Sequence, residues 1–118
     1  MSERLRVLFV CSRNQWRSPT AEAVFAELPG IETASAGTSP DAEERVSREL
    51  IAWADLIVVM EARHKRALTR SFGEALRGRR LVVADIPDRY DAMDPELIAL
   101  LRRRVEPLLA SPRGRAGG

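Results

Sequence analysis

The stretch that decides the fold is residues 5–19, with the sequence LRVLFVCSRNQWRSP. Its first six residues, 5–10, are almost all apolar, which is typical of a buried β-strand. A mostly polar loop then separates Cys11 from Arg17, and Pro19 stands where a helix commonly begins. The stretch therefore predicts a strand, a tight loop and a helix, with Cys11 at the carboxyl end of the strand.

The same alternation continues along the chain. Further strands are predicted over residues 31–35, 56–60 and 81–84, and helices over residues 19–28, 41–54, 61–72 and 94 to about 109. Pro107 is expected to kink the last helix or end it early. This order predicts an α/β fold, a four-stranded parallel sheet with helices on both faces. We expect residues 1–110 to form a single domain and residues 111–118 a disordered tail.

Four loops are predicted to share one edge of this sheet. Ligands of such sheets bind beyond the carboxyl ends of the strands. That edge collects residues 11–18, 36–40, 60–62 and 85–94. We therefore expect Cys11 to meet the aspartates of the last loop.

Composition excludes several classes of protein. With one cysteine and one histidine, the chain can form neither an internal disulfide nor a structural zinc site, so we expect no metal and no cofactor. No apolar run approaches the roughly 18 residues of a membrane span, and residues 1–4 do not begin a secretory signal. We expect a cytoplasmic protein that does not bind membranes.

Charge indicates no particular partner. The 19 basic residues are balanced by 17 acidic ones, so we do not expect nucleic acid as a ligand. We also expect a monomer. The predicted helix 61–72 carries the run Arg63, His64, Lys65 and Arg66, which we interpret as a solvated face. Whether this helix binds a partner stays open.

The loop between Cys11 and Arg17 has the length and composition of an anion site. Five residues can wrap a tetrahedral oxyanion with their backbone N–H groups pointing inward, and the following helix directs its positive end to the same point. Arg17 can add two parallel bonds to phosphate oxygens. A cysteine thiolate in this place would be a nucleophile. Ser18 either donates its hydroxyl to that thiolate or caps the helix.

Residues 10–22 resemble the signature of the low-molecular-weight protein tyrosine phosphatases. The matching residues are Val10-Cys11 and Arg17-Ser18-Pro19-Thr20-Ala21-Glu22. Residues 35–38 resemble the family's second conserved loop, whose serine, here Ser35, supports the asparagine of the phosphate loop, here Asn14. Residues 56–61 are similar to the family's third strand, and residues 86–90 resemble its late loop, which bears the general acid.

The resemblance implies a cysteine-dependent phosphomonoester hydrolase that acts on phosphotyrosine or an aryl phosphate through a phosphocysteine intermediate. It implies a catalytic set of Cys11, Arg17 and Asp88, with Asp91 as the alternative acid. The predicted phosphate- and substrate-binding residues are Ser12, Arg13, Asn14, Gln15, Trp16, Ser18 and Tyr90. Trp16 either forms an aromatic wall for the substrate or packs against the first helix.

The sequence also departs from the family pattern. The stretch 38–53 is short, Trp16 stands where the family has a second loop cysteine, and Arg89 replaces the proline that usually follows the acid. Two alternatives to a phosphatase remain, namely an arsenate reductase that uses an external small thiol and a non-catalytic phosphate-binding module.

Overall fold

A computed structural model describes residues 4–116 of the chain, and the side chains of residues 4–109. The strands are β1 (Leu5–Cys11), β2 (Ile31–Gly37), β3 (Leu56–Val59) and β4 (Arg80–Val83). The helices are α1 (Arg17–Phe25), α2 (Arg48–Trp53), α3 (Ala62–Phe72) and α4 (Pro95–Ala116), and a 3-10 turn follows α3 at Gly73–Leu76.

The four strands form one parallel sheet in the order β2-β1-β3-β4, which confirms the predicted α/β fold. Strand β1 lies between β2 and β3, and its last residue, Cys11, pairs with Gly37 of β2. The chain moves from β1 to one side and then returns to the other side for β3. This reversal opens a crevice at the carboxyl end of β1.

Each face of the sheet has its own hydrophobic core, because successive residues of a strand point to opposite faces. One core joins β1 and β3 to α1 and α4, and it includes Phe9, Phe25 and Leu101. The rings of Phe9 and Phe25 stack with centroids 5.6 Å apart. The other core, which includes Leu8 and Leu68, joins the sheet to α2 and α3. Helices therefore cover both faces, as expected.

Helix α2 is much shorter than the predicted helix 41–54. It begins at Arg48, and the Ser47 hydroxyl caps it by accepting a hydrogen bond from the N–H of Leu50 at 3.1 Å. The preceding residues use their backbone groups elsewhere. The Glu43 N–H donates to the Arg13 carbonyl, and the Gly37 N–H donates to the Glu44 carbonyl. The segment before Ser47 therefore braces the loop after β1 instead of forming a helix.

Helix α4 is longer than the sequence predicts, because it continues through Pro107 to Ala116. The division into a domain of residues 1–110 and a tail of residues 111–118 falls partly outside the described residues and stays a prediction. No helix within residues 4–116 is long and apolar enough to cross a membrane.

Gly37 allows β2 to approach the loop after β1. A Cβ atom at this position would lie 2.4 Å from the Ser12 carbonyl oxygen and 2.6 Å from the Ala42 Cβ. We expect Gly37→Ala to lower the free energy of unfolding by about 1–3 kcal/mol, because backbone atoms must shift. Gly73→Ala is the control, since a Cβ at Gly73 meets nothing within 4 Å. Chemical denaturation of both variants checks this, and equal stability of Gly37→Ala and the wild type would contradict it.

Candidate active site

A small cavity lies at the carboxyl end of β1, in the crevice where the chain order reverses. It has a volume of about 50 Å³. Its lining residues are Cys11, Ser12, Arg13, Gln15, Trp16, Arg17 and Asp88. The structure thus brings Asp88, which is distant in the sequence, to the loop that runs from Cys11 to Arg17.

The loop over this cavity has the form of an anion cradle. Within the described residues, the backbone N–H groups of residues 12–17 donate no hydrogen bond to the protein. Helix α1 begins at Arg17, so its positive end lies at the same loop. Unpaired N–H groups at a helix N-terminus are suited to bind a phosphate or another oxyanion.

A chain of side-chain hydrogen bonds ties Cys11 to strand β2. The amide nitrogen of Asn14 donates to the Ser18 hydroxyl at 3.0 Å and to the Ser35 hydroxyl at 2.9 Å. Ser35 in turn donates to a Glu22 carboxylate oxygen at 2.5 Å. The Ser18 oxygen accepts from Asn14, and the Ser18 hydrogen can be donated either to the Cys11 sulfur, 3.0 Å away, or to the Ala36 carbonyl, 3.5 Å away. Ser18 therefore links the Cys11 sulfur to the side chains behind the loop.

Arg17 is anchored almost completely inside the protein, with 3% of its surface exposed. Its NH1 group donates to a Glu61 carboxylate oxygen at 2.8 Å and to the Ile86 carbonyl at 2.7 Å. Its Nε lies 3.8 Å from an Asp88 carboxylate oxygen. These contacts fix the guanidinium between the ends of β1, β3 and β4, beside the cavity.

Glu61 is the anionic partner of two arginines, Arg17 and Arg63. Partial burial alone would raise its pKa, but the hydrogen bonds and charges of the two arginines outweigh burial, so the pKa of Glu61 lies below its ordinary value. Its carboxylate therefore stays ionised and balances the arginines at neutral pH. Within residues 4–109, no three His, Cys, Asp or Glu side chains are grouped as metal ligands would be.

Comparison with known proteins shows what this site is similar to. The sequence profile described as "Low molecular weight phosphotyrosine protein phosphatase" matches residues 6–53, which include the whole loop from Cys11 to Ser18 and Ser35 behind it. Over these residues the chain is similar to this family. The fold is that of the solved bacterial phosphatases described next, as the resemblance implied.

Relatives of this phosphatase family resemble the chain along most of its length. The structure of the YwlE arginine phosphatase from Geobacillus stearothermophilus aligns with a TM-score of 0.70 and 25% identity over 93% of this chain and 96% of that one. Wzb from Vibrio vulnificus aligns with a TM-score of 0.70 and 27% identity over 94% and 99%. A sequence relative, a protein-arginine-phosphatase of Geobacillus stearothermophilus, is 30% identical over 94 residues. This alignment covers 59% of the chain and 64% of the relative.

Some of the predicted site residues line the cavity, and others lie behind it or away from it. Trp16 lines the cavity and is 46% exposed, which favours the wall over packing on α1. Ser18 is inside α1 and faces Cys11, so it does not cap the helix. The side chains of Asn14 and Ser35 bond each other behind the loop and do not line the cavity. Tyr90 is not among the cavity's lining residues, because its ring packs against the core with the Arg89 guanidinium 5.7 Å from its centroid.

His64 is the residue for which the sequence prediction was wrong. We predicted a solvated helix face, but His64 is only 1% exposed. It lies one helical turn before Leu68, which is also buried, so the two residues share the inner face of α3. This four-residue spacing was the feature of the sequence from which the burial of His64 could have been predicted. Glu61 and Glu22 were also missed as site residues, because single acidic residues give no such signal.

The burial of His64 predicts a pH dependence of stability. Burial, together with the charges of Arg17 and Arg63, lowers the pKa of His64 to about 4, against the weaker opposing effect of Glu61 and Asp88. In the unfolded chain the ring takes up a proton near pH 6.5. As pH falls below that value, the unfolded state binds a proton that the folded state does not, so stability is lost.

We expect the free energy of unfolding to fall by roughly 1.5 kcal/mol between pH 6.5 and 5. The chain has no other histidine, so His64→Asn should remove this slope. Urea denaturation at a series of pH values measures both proteins. An identical slope in the variant would contradict the burial of a neutral His64.

Proposed function

We propose that this chain is a cysteine-dependent phosphomonoester hydrolase with the two-step mechanism of a protein tyrosine phosphatase, and that it needs no cofactor. The observation that carries the proposal is the Cys11 sulfur beneath a loop with free N–H groups, 3.0 Å from the Ser18 hydroxyl. A cysteine in this position can attack a phosphorus atom whose oxygens are held by the same N–H groups.

In the proposed first step, the Cys11 thiolate attacks phosphorus and forms a P–S bond, while the bond from phosphorus to the leaving oxygen breaks. The Asp88 carboxyl group gives its proton to that oxygen. In the second step the Asp88 carboxylate takes a proton from water, which attacks phosphorus and breaks the P–S bond. Inorganic phosphate leaves and the thiolate is restored. Arg17 and the loop N–H groups hold the phosphoryl oxygens throughout.

An aryl phosphate is the substrate class that we propose first. The exposed ring of Trp16 at the cavity can pack against an aromatic leaving group. The relative Wzb from Vibrio vulnificus was solved in complex with benzylphosphonate, which carries an aromatic ring next to its phosphonate group. Both facts support phosphotyrosine or a small aryl phosphate.

Phosphoarginine is a second candidate substrate. A 30% identical relative is named a protein-arginine-phosphatase. The carboxylate of Asp88 lines the cavity and is half exposed, so it can pair with a substrate guanidinium. Hydrolysis rates for a phosphotyrosine peptide and a phosphoarginine peptide of the same sequence distinguish the two. The named relatives give no support to arsenate reduction or to a non-catalytic module.

The remaining expectations also belong to this proposal. They are a phosphorylated substrate as the partner, a monomeric state, a cytoplasmic location and no role for nucleic acid. The basic side chains of α3 are compatible with a solvated surface, except for His64 and for Arg63, which pairs with Glu61 and contacts Ser12 at the cavity.

Replacement of the nucleophile tests the proposal most simply. Cys11→Ser should lower kcat on para-nitrophenyl phosphate by more than about 10³-fold, because the hydroxyl is a much weaker nucleophile. Phosphate should still bind, since the cradle is made of backbone and Arg17. Steady-state kinetics and calorimetry measure the two effects. A variant that keeps a substantial part of the wild-type rate would refute covalent catalysis by Cys11.

The acid assignment is tested with two aspartates of the same loop. Asp88→Ala should slow cleavage of esters with poor leaving groups by roughly 10²–10⁴-fold, and esters with good leaving groups should lose less in the first step. Asp91→Ala is the matched control, because Asp91 is not among the residues that line the cavity. A larger loss in Asp91→Ala would transfer the role to that residue.

A further inference from the structure

The one histidine of the chain lies behind the phosphate loop and has no part in the two-step mechanism. His64 is 1% exposed, and its Nε2 atom lies 3.0 Å from the Ser12 hydroxyl oxygen. Ser12 follows the nucleophile directly and lines the cavity. Because the imidazole is buried, both of its ring nitrogens need hydrogen-bond partners within the protein.

The tautomer of His64 follows from its other ring nitrogen. Nδ1 accepts a hydrogen bond from the backbone N–H of Glu61 at 3.0 Å, so it carries no hydrogen. A neutral imidazole then carries its hydrogen on Nε2. The low pKa of His64, about 4, keeps the ring neutral at physiological pH. Nε2 is therefore the donor and the Ser12 oxygen is the acceptor.

The Ser12 oxygen has a second donor, because the NH1 group of Arg63 lies 3.0 Å away. A hydroxyl group offers two lone pairs and one hydrogen. His64 and Arg63 use both lone pairs, so Ser12 cannot accept another hydrogen bond. Its hydrogen has no acceptor within the part of the chain that the structure describes. Ser12 is thus left as a donor at the wall of the cavity.

We propose that His64 is a positioning residue, which together with Arg63 fixes the Ser12 hydroxyl as a hydrogen-bond donor to a phosphoryl oxygen of the bound substrate. The proposal rests on the proposed phosphatase function and adds one side-chain donor to the backbone cradle. A freely rotating hydroxyl would have to be ordered when substrate binds. Here His64 and Arg63 order it beforehand, which saves that entropy.

A purely structural role for His64 is the competing explanation, because its Nδ1 contact also caps helix α3. His64→Asn separates the two roles. The Asn oxygen can accept from the Glu61 N–H in place of Nδ1, but the shorter side chain lacks a donor at the position of Nε2. His64→Gln is the conservative variant, because its amide can accept from the cap and can still donate towards Ser12.

The experiment measures the affinity for inorganic phosphate by calorimetry, and kcat and KM on para-nitrophenyl phosphate. Ser12→Ala should weaken phosphate binding by about 10-fold or more, as expected for a hydrogen bond to a charged oxygen. His64→Asn should weaken it by about 3–10-fold, and His64→Gln should recover part of this loss. In the Ser12→Ala background, His64→Asn should add less than about a 2-fold loss, because its effect passes through the missing hydroxyl.

Lys65→Ala, an exposed neighbour of His64 on α3, is the control and should bind phosphate like the wild type. Independent losses that multiply in the double variant would overturn the proposal, as would full phosphate affinity in His64→Asn. The phosphatase function can fail separately. A wild type that binds phosphate with the expected coupling but hydrolyses no ester would refute the function alone, whereas a wild type that binds no phosphate would refute both.

Discussion

The site depends on one constraint, the position of the Asn14 side chain behind the phosphate loop. Asn14 adopts a left-handed backbone conformation, with φ of 58°, which asparagine tolerates better than most residues. The turn points its amide into the protein, where it bonds Ser18 and Ser35. One bond orients the hydroxyl that serves Cys11, and the other joins the loop to β2. Without this amide, the loop and the Ser18 hydroxyl would no longer be held in a fixed position relative to β2.

The charges of the site are also arranged around the loop, with one carboxylate paired to two arginines. Arg17 carries one charge into the interior, and Glu61 at the end of β3 compensates it. Arg63 shares that carboxylate and also reaches Ser12. The carbonyl of Ile86 gives Arg17 a second contact, from the loop after β4. Arg17 follows β1, Glu61 follows β3 and Ile86 follows β4, so the parallel sheet is what brings these groups together.

The sequence predicted this arrangement where the pattern is local. The alternation of apolar and polar segments predicted the sheet, and the spacing from Cys11 to Arg17 predicted the anion loop. The shared edge of the strands predicted that aspartates of the last loop meet Cys11, the resemblance selected Asp88 among them, and Asp88 does line the cavity. The long helix at 41–54 was wrong, because its first residues form backbone hydrogen bonds with a distant loop. The prediction for His64 was wrong because the residue lies in a run of basic side chains. Its four-residue spacing from Leu68 indicates a buried face only when α3 is known to pack against the sheet.

The most direct test of the covalent mechanism is to identify the phosphorylated group during turnover. The reaction with para-nitrophenyl phosphate is quenched in acid within the first turnover, and the digested protein is analysed by mass spectrometry. Our account predicts one phosphoryl group on the peptide that contains Cys11, attached through sulfur, and its loss once substrate is exhausted. Turnover without this adduct, or a phosphoryl group on another side chain, would contradict the account.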